Sequence, residues 1–327
     1  MAWLAIIIIK VVVAFGALLL IAAYMSWMER RVFALVQVRY GPNRVGPAGL
    51  FQPIADGIKL MFKETVVPSQ ADKFVFFIAP ALTLIPALAA FAVVPFGDAV
   101  TLFGHKIDLV VADVNVGILY IFALSGIGIY GVVLGAWASN SKYPLMGGLR
   151  ASAQLISYEL SLGMSLLGVV MISGSLSLKD IIAGQVDYPF IFLQPLGFIL
   201  FVVCMLAETN RTPFDLPEAE SELTGGFHTE YSSMNFAVYF LAEYCNMITL
   251  SAVAATFFLG GWRGPFLPPV LWFLIKIIAF MFFFMWLRAS SPRLRYDQLM
   301  AFGWKVLLPL AILNVVVTAV FIYLMDS

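Results

Sequence analysis

Long apolar runs constrain this 327-residue chain more than any other feature of its sequence. Hydrophobic residues make up 62% of the chain and charged residues 12%, roughly half the charge of a soluble domain. A run of about 20 apolar residues crosses the hydrocarbon core of a bilayer as a helix. The sequence therefore predicts an all-α integral membrane protein with eight transmembrane helices, called spans 1 to 8, near residues 3–27, 75–96, 115–138, 152–173, 189–208, 234–260, 267–288 and 304–325.

Basic residues are distributed unevenly between the two ends of the predicted bundle. The loops after spans 1, 3, 5 and 7 hold most of the 19 lysines and arginines, whereas the loops after spans 2, 4 and 6 hold Lys106, Lys179 and Arg263. Because basic loops stay on the cytoplasmic side, we expect the first set inside and both termini outside. We find no internal repeat or linker, so residues 1–327 are predicted to form a single membrane domain.

A different element lies between spans 1 and 2. From residue 50 to residue 65, Phe51, Ile54 and Ile58 recur at helical spacing on one face, and Lys59 and Lys63 lie on the other. This helix is too short and too polar to span, so we expect it to lie at the inner membrane surface. Residues 41–47 before it are rich in turn formers, which indicates either a tight turn or a shaped loop that lines a site.

The most polar part of the chain is the segment 208–231, in which Arg211 is the only lysine or arginine. Asp215 and Glu218 predict a capping box, with Pro217 in the first helical turn. The short helix would end before Gly225 and Gly226, which favour a helix stop. The carboxylates of the segment are Glu208, Asp215, Glu218, Glu220, Glu222 and Glu230.

Two interpretations of these carboxylates stay open. On the predicted helix, Glu218 and Glu222 lie at i and i+4 and share one face. They belong either to a solvated acidic loop or to a cluster whose members raise each other's pKa and titrate together.

Ionisable residues also fall within the predicted spans, where a central charge costs roughly 2.5–3.5 kcal/mol on insertion scales. Counted at 1.5 Å per residue, Glu208 lies at the inner surface, Glu159 about 12 Å deep and Glu243 about 15 Å deep. Lys276 lies near mid-membrane, and Lys10, near the outer end of span 1, is expected to snorkel. The order indicates a polar route that passes protons; the alternative is a set of ion pairs that fix helix packing.

Composition excludes several other functions. The net charge is zero, so no bulk attraction to nucleic acid is expected. The two cysteines, Cys204 and Cys245, fall within apolar runs and predict neither a disulfide framework nor a metal site.

Several motifs follow one another in order from about residue 20 to residue 310. They are ERR at 29–31, RYGPNRVGP at 39–47, QPIADGIK at 52–59, RASAQLISYE at 150–159, ETNRTPFDLPEAESEL at 208–223 and RYDQLM at 295–300. Taken together, they are very specific. The chain resembles the quinone-site membrane subunit of respiratory complex I, the proton-pumping NADH:quinone oxidoreductase.

This resemblance implies a place at the heel of the membrane arm, in a bacterial inner membrane in preference to a mitochondrial one. Span 1, the amphipathic helix and span 6 would frame the mouth of a quinone tunnel, with ubiquinone or menaquinone as substrate. The FMN and iron–sulfur clusters would belong to partner subunits, and this chain would hold no redox centre and no metal. The partners would be the iron–sulfur and quinone-site subunits of the peripheral arm and the small membrane-arm subunits.

The resemblance also implies two groups of site residues. The route for proton coupling would consist of Glu159, Glu208, Asp215, Glu218, Glu220, Glu222, Glu243 and Lys276. The quinone tunnel and docking loops would include Arg30, Arg39, Asn43, Arg44, Phe51, Ala55, Arg211, Phe227 and Arg295.

Other functions fit only part of this pattern. Buried glutamate and lysine residues would also suit a proton-coupled secondary transporter, but the sequence has no inverted repeat and no pair of clearly broken helices. Buried charges count against an inert membrane anchor. The equivalent subunit of a membrane-bound hydrogenase is a further alternative, and the complete motifs at 41–47 and 295–300 favour the quinone enzyme over it.

Overall fold

The structure is a computed structural model that describes residues 2–102, 105–186, 188–218 and 220–326, without the side chains of 2–5, 100–102, 105–107, 220, 221 and 326. These residues are mainly helical, and a short antiparallel hairpin pairs β1 (Val100–Leu102) with β2 (His105–Ile107). The α-helices are α1 (Ala2–Val36), α2 (Gln52–Phe62), α3 (Lys73–Ala90), α4 (Gly117–Ala138), α5 (Lys142–Ser173), α6 (Leu178–Ala183), α7 (Phe190–Leu193), α8 (Pro195–Glu208), α9 (Glu220–Leu223), α10 (Ser233–Phe258), α11 (Pro269–Ser290), α12 (Tyr296–Phe302) and α13 (Leu308–Asp326).

Seven of the described helices are long and apolar enough to cross a membrane. They correspond to the predicted spans 1–4 and 6–8, and the last of them runs continuously through a π-helical turn at Gly303–Leu307. The predicted fifth span is divided, because Gln194 has non-helical dihedral angles and Pro195 begins α8. The 14 residues of α8 reach only about 21 Å. The count of eight spans and the placement of both termini outside therefore stay predictions.

Helix α10 lies at the centre of the bundle and packs against α1, α3, α8 and α11. Small side chains allow close packing of its second half, where Ala252, Ala254 and Ala255 are fully buried. Helix α1 has 35 residues and is longer than a bilayer requires. Its last turns therefore extend beyond the apolar run and bring Glu29 to the end of α10.

The amphipathic helix α2 is shorter than the predicted range of 50–65, but it has the expected character. None of its side chains is buried within the chain, so its apolar stripe is available to a membrane surface. An ion pair of 2.8 Å between Arg30 and Asp56 fastens it to α1. In the loop before α2, Gly46 has a φ of 74°, and the Phe51 ring occupies the space that a Cβ would need.

The predicted helix from Asp215 is wrong. Residues 216–218 form a turn, and α9 begins at Glu220. The physical reason is that the Asp215 carboxylate pairs with Arg293 at 2.8 Å instead of capping a helix. The predicted stop is confirmed, since α9 ends before Gly225. Gly226, with a φ of 65°, lies so close to the Pro217 carbonyl that no Cβ would fit, and the segment folds back on itself there.

Candidate functional site

A buried cluster of alternating charges joins four segments of the chain. Arg211, in the loop after α8, lies with its Nε 2.6 Å from Glu243 Oε1 of α10 and its Nη1 3.4 Å from Glu29 Oε1 of α1. Arg288 of α11 pairs with the same Glu29 oxygen. The side chain of Arg211 is only 3% exposed. We call Glu29, Arg211, Glu243 and Arg288 the arginine–glutamate cluster.

Tyr244 completes the surroundings of this cluster. Its hydroxyl donates to Glu29 Oε2 at 2.8 Å, and the guanidinium carbon of Arg211 lies 5.2 Å from the centre of its ring. The two positive and two negative charges of the cluster balance. This balance matters because a buried charge that loses its partner costs about 3–5 kcal/mol.

A cavity of about 460 Å³ opens beside the arginine–glutamate cluster, between α1, α2 and α10. Glu29 and Arg288 line its charged side, and Phe33, Leu60 and Phe236 are among its apolar lining. Arg30, proposed from the sequence, lines it as well. Neither Phe51 nor Ala55 belongs to this lining, and Phe51 packs over Gly46 instead. This volume and mixed lining are typical of small-molecule sites.

Two smaller cavities lie on the other side of the cluster. The first, of about 60 Å³, is lined by Glu218, Glu243 and His228, among others. The second, of about 30 Å³, lies deeper between α3, α4, α5 and α10. Their shared lining residues are Thr83, Ser125, Gly128, Glu208 and Asn246. Both are polar and large enough to hold water.

Glu208 and Glu159 meet at these two cavities. One Glu208 oxygen, Oε2, is buried and accepts no hydrogen bond from the described residues, so this carboxylate lies within the bundle and not at the predicted inner surface. Ser125 Oγ donates to Glu159 Oε1 at 2.9 Å. Carboxylates from the acidic segment, α10, α8 and α5 thus follow one another in the order Glu218, Glu243, Glu208 and Glu159.

Asp215 belongs to a separate contact, between the acidic segment and the loop after α11. Besides the Asp215–Arg293 pair, Leu294 N–H donates to Pro213 O at 3.1 Å. Burial raises the pKa of Asp215 to about 6, with the Glu218 carboxylate acting in the same direction and the Arg293 and Arg288 guanidinium groups opposing both.

Lys276 does not reach the carboxylates, so the predicted continuation of the route to this residue is wrong. Its ammonium donates to the carbonyls of Leu259, Gly261 and Arg263, at 2.6, 2.7 and 2.7 Å. These carbonyls follow the carboxyl end of α10, where unpaired carbonyls and the helix dipole attract a cation. Three donors for three carbonyls use the hydrogen-bonding capacity of the ammonium completely.

Other predicted residues lie away from the cluster or from the cavities. Glu222 pairs with Arg150 at 2.8 Å and is half exposed, and the side chain of Glu220 lies outside the described residues. Phe227 is buried against Tyr239 and lines the 60 Å³ cavity. The exposed loop residues are Arg39, Asn43, Arg44 and Arg295.

Sequence reasoning missed three charged residues and one polar residue of the site. Glu29, Arg288 and Arg293 lie next to span ends, where charged residues are ordinary flanks, and Ser125 is a single hydroxyl in an apolar run. The available signal was Glu29, an acid beside two arginines in the motif at 29–31. Their pairing depends on the approach of α1, α10 and α11, which spacing along the chain does not reveal.

Known proteins share this sequence over nearly its whole length. The family model for NADH dehydrogenase matches residues 9–319. The chain belongs to the NADH dehydrogenase family. Relatives are an H-type subunit of the NADH-quinone oxidoreductase of Syntrophobacter fumaroxidans, 56% identical over 98% of this chain and 97% of that one, and one of Geobacter metallireducens, 57% identical over 94% of each. The corresponding protein of Thermomicrobium roseum is 55% identical over 94% of this chain and 93% of that one.

As a member of the NADH dehydrogenase family, this chain is a multi-pass membrane subunit of complex I in a respiratory chain. The relatives named above are bacterial, which supports a bacterial membrane. Within this family, the arginine–glutamate cluster and the cavities on its two sides are the candidate functional site.

Proposed function

We propose that this chain forms the access tunnel for quinone together with the peripheral arm, and that it couples quinone reduction to proton translocation through its buried carboxylates. The observation that carries the proposal is the position of the arginine–glutamate cluster. Glu29 lines the large cavity beside α2, and Glu243 lines the first of the two small cavities. Arg211 contacts both carboxylates, so a charge change on one side of the cluster is felt on the other.

Quinone access through the 460 Å³ cavity is supported by its lining. Pro53, Gly57 and Leu60 of α2 form one wall, and Phe236 and Phe240 of α10 form another. Apolar walls suit a lipid-soluble substrate, and the exposed apolar stripe of α2 suits a position at the membrane surface. The substrate is ubiquinone or menaquinone. Arg30, with Asp56 beside it, lies at this cavity.

Proton movement is supported by the chain of carboxylates and cavities. Glu243 and Glu208 line the same 60 Å³ cavity, and Ser125 connects the second cavity to Glu159. Water held between these groups would carry protons between them, because carboxylates within a water-sized gap can exchange protons. Asp215 and Glu218 provide the first carboxylates on the side of the peripheral arm.

The redox centres, FMN and iron–sulfur clusters, belong to partner subunits in this proposal, and this chain would bind no metal. Its partners are the iron–sulfur and quinone-site subunits of the peripheral arm and the small membrane-arm subunits. The exposed Arg39, Asn43, Arg44 and Arg295 would contact the peripheral arm. The complex acts as a proton translocase. A proton-coupled transporter is the alternative, and it does not predict an iron–sulfur arm that copurifies on the inner face.

The test uses Glu159→Gln and Glu243→Gln in the assembled complex. Glutamine keeps the shape and hydrogen bonding of the side chain but removes the exchangeable acid. We expect NADH:quinone turnover to fall at least about tenfold, a loss typical of removing a proton-transfer group, while electron transfer from NADH to an artificial acceptor is retained. Full quinone turnover and full proton uptake by vesicles containing either variant would overturn the coupling proposal.

A further inference from the structure

An apolar groove in the outer half of the bundle has no place in the function proposed above. It has a volume of about 270 Å³ and lies between α1, α11 and the chain that follows α3. Val13, Ala14, Ala17 and Ile21 line it from α1, and Phe273 and Ile277 are among the residues that line it from α11. Its charged lining residues are Lys10 and Asp108, at one end.

The dimensions of the groove match one acyl chain. From Lys10 to Ile21 the groove follows α1 for about 16 Å, half of the roughly 30 Å hydrocarbon core. Dividing its volume by this length gives a mean cross-section of about 16 Å², whereas a helix with its side chains, about 10 Å wide, needs about 80 Å². A partner helix is therefore too wide to enter the groove, but a hydrocarbon chain fits.

A polar cavity adjoins the charged end of the groove. Its volume is about 540 Å³, and its lining includes Lys179, Arg263 and Trp262. Asp108 lines both spaces, and the neighbours Pro269 and Val270 line one each, so the two spaces meet there. Lys179 pairs with Asp108 and Asp113, at 2.9 and 2.8 Å. Tryptophan and basic side chains are typical of the level of lipid headgroups.

Lys10 can serve as a ligand for a phosphate at this junction. Among the described residues, its ammonium donates one long hydrogen bond, of 3.4 Å, to Val110 O. An ammonium has three donors, so it can accommodate further acceptors. This contrasts with Lys276, whose three donors all serve carbonyls of the chain.

We propose that the groove and the adjoining polar cavity bind one glycerophospholipid of the outer leaflet. One acyl chain lies along Val13, Ala17 and Ile21, and the phosphate lies at Lys10 and Arg263. The lipid would seal α1 against α11 on the leaflet opposite the quinone cavity. This lipid site is independent of quinone chemistry, because none of these residues lines the cavity beside α2.

The experiment uses the whole complex, reconstituted with a phosphatidylglycerol that carries a photoreactive diazirine in its acyl chain. Labelled peptides are identified by mass spectrometry. We expect labelling of the α1 residues that line the groove and of α11 near Phe273. Ala17→Phe fills the groove and should abolish this labelling, whereas Leu20→Phe, on an exposed part of α1 outside the lining, should not change it.

The contribution of the headgroup is tested with Lys10→Gln, Lys10→Arg and two further probes. Lys10→Gln should weaken phosphatidylglycerol labelling about five-fold, the effect of one basic residue near a charged headgroup, and Lys10→Arg should restore it. Phosphatidylethanolamine with the same tail should label in the same way, since it shares the phosphate. Equal labelling by a diazirine diacylglycerol, which lacks phosphate, would overturn the phosphate assignment. Labelling unaffected by Ala17→Phe, or absent in the assembled complex because a partner covers the groove, would overturn the lipid site.

Discussion

Arg211 holds together segments that are distant in the sequence. It contacts Glu29 and Glu243 and lies against the ring of Tyr244, so it fixes the loop after α8 to both α1 and α10. Arg288 shares Glu29 and balances the second negative charge. The sequence singled out Arg211 as the cation of the acidic segment, but its partners are carboxylates of two helices and not those of its own loop.

Removing Arg211 should therefore be costly. Arg211→Ala leaves Glu29 and Glu243 without this charge, which we expect to destabilise the protein by about 3–5 kcal/mol. Arg211→Lys should recover part of the loss, because lysine keeps the charge but lacks the planar fork that reaches two carboxylates. Assembly yield and quinone-dependent turnover measure both effects. Normal turnover of an assembled Arg211→Ala complex would contradict this role.

Asp215 should titrate near pH 6. Because its pKa of about 6 lies above the ordinary value of about 3.9, the folded protein holds this proton more tightly than the unfolded chain does. Its contribution to stability is therefore greatest below pH 3.9 and falls as the pH rises to about 6. Infrared spectroscopy should show a carboxylic acid band that disappears with a midpoint near pH 6 and is missing in Asp215→Asn. A midpoint near 3.9 would contradict the effect of burial on this carboxyl group.

At the scale of elements, hydrophobic length and amphipathic spacing predicted most of the helices. The apolar runs of spans 1–4 and 6–8 correspond to long helices, and the stripe around Ile54 and Ile58 corresponds to α2. The failures have local causes. The run at 189–208 is broken at Gln194, and the capping pattern at Asp215 yields to the ion pair with Arg293. Such competition between local and tertiary partners is not visible in the spacing of residues.

Helix α2 allows a test of the substrate cavity. Gly57 lines the cavity, and a Cβ at this position meets nothing within 4 Å. We expect Gly57→Leu to raise the apparent KM for quinone several-fold, since the added side chain takes up space where the substrate passes. Gly57→Ala should have little effect.

Ala55→Leu is the matched control, since Ala55 is on the same helix but outside the lining of the cavity. It should leave the KM for quinone unchanged. Electron transfer from NADH to an artificial acceptor should be the same in all three variants. A KM that rises equally in Ala55→Leu and Gly57→Leu would show that the cavity beside α2 is not the access path.

At the scale of the whole molecule, the sequence predicted which carboxylates lie within the bundle but not how they connect. Depth counting brought Glu159 and Glu243 to similar levels, and the structure links them through Glu208 and Ser125. The same counting wrongly extended the route to Lys276. Depth along a helix follows from residue number, but the side on which a residue faces its neighbours depends on packing between helices.

Gly128 provides the most direct test of the connection between the carboxylates. It lines both small cavities, and a Cβ on it meets nothing within 4 Å. Gly128→Leu therefore fills the shared space without removing a charge, Gly128→Ala fills little of it, and Ile127→Leu changes an exposed residue of the same helix.

The decisive measurement is proton uptake by vesicles that contain each of these variant complexes, with electron transfer from NADH to an artificial acceptor as the assembly control. We expect Gly128→Leu to lose most quinone-driven proton uptake, while Gly128→Ala and Ile127→Leu keep it. Full uptake by an assembled Gly128→Leu complex would contradict a proton route through Glu243, Glu208 and Glu159.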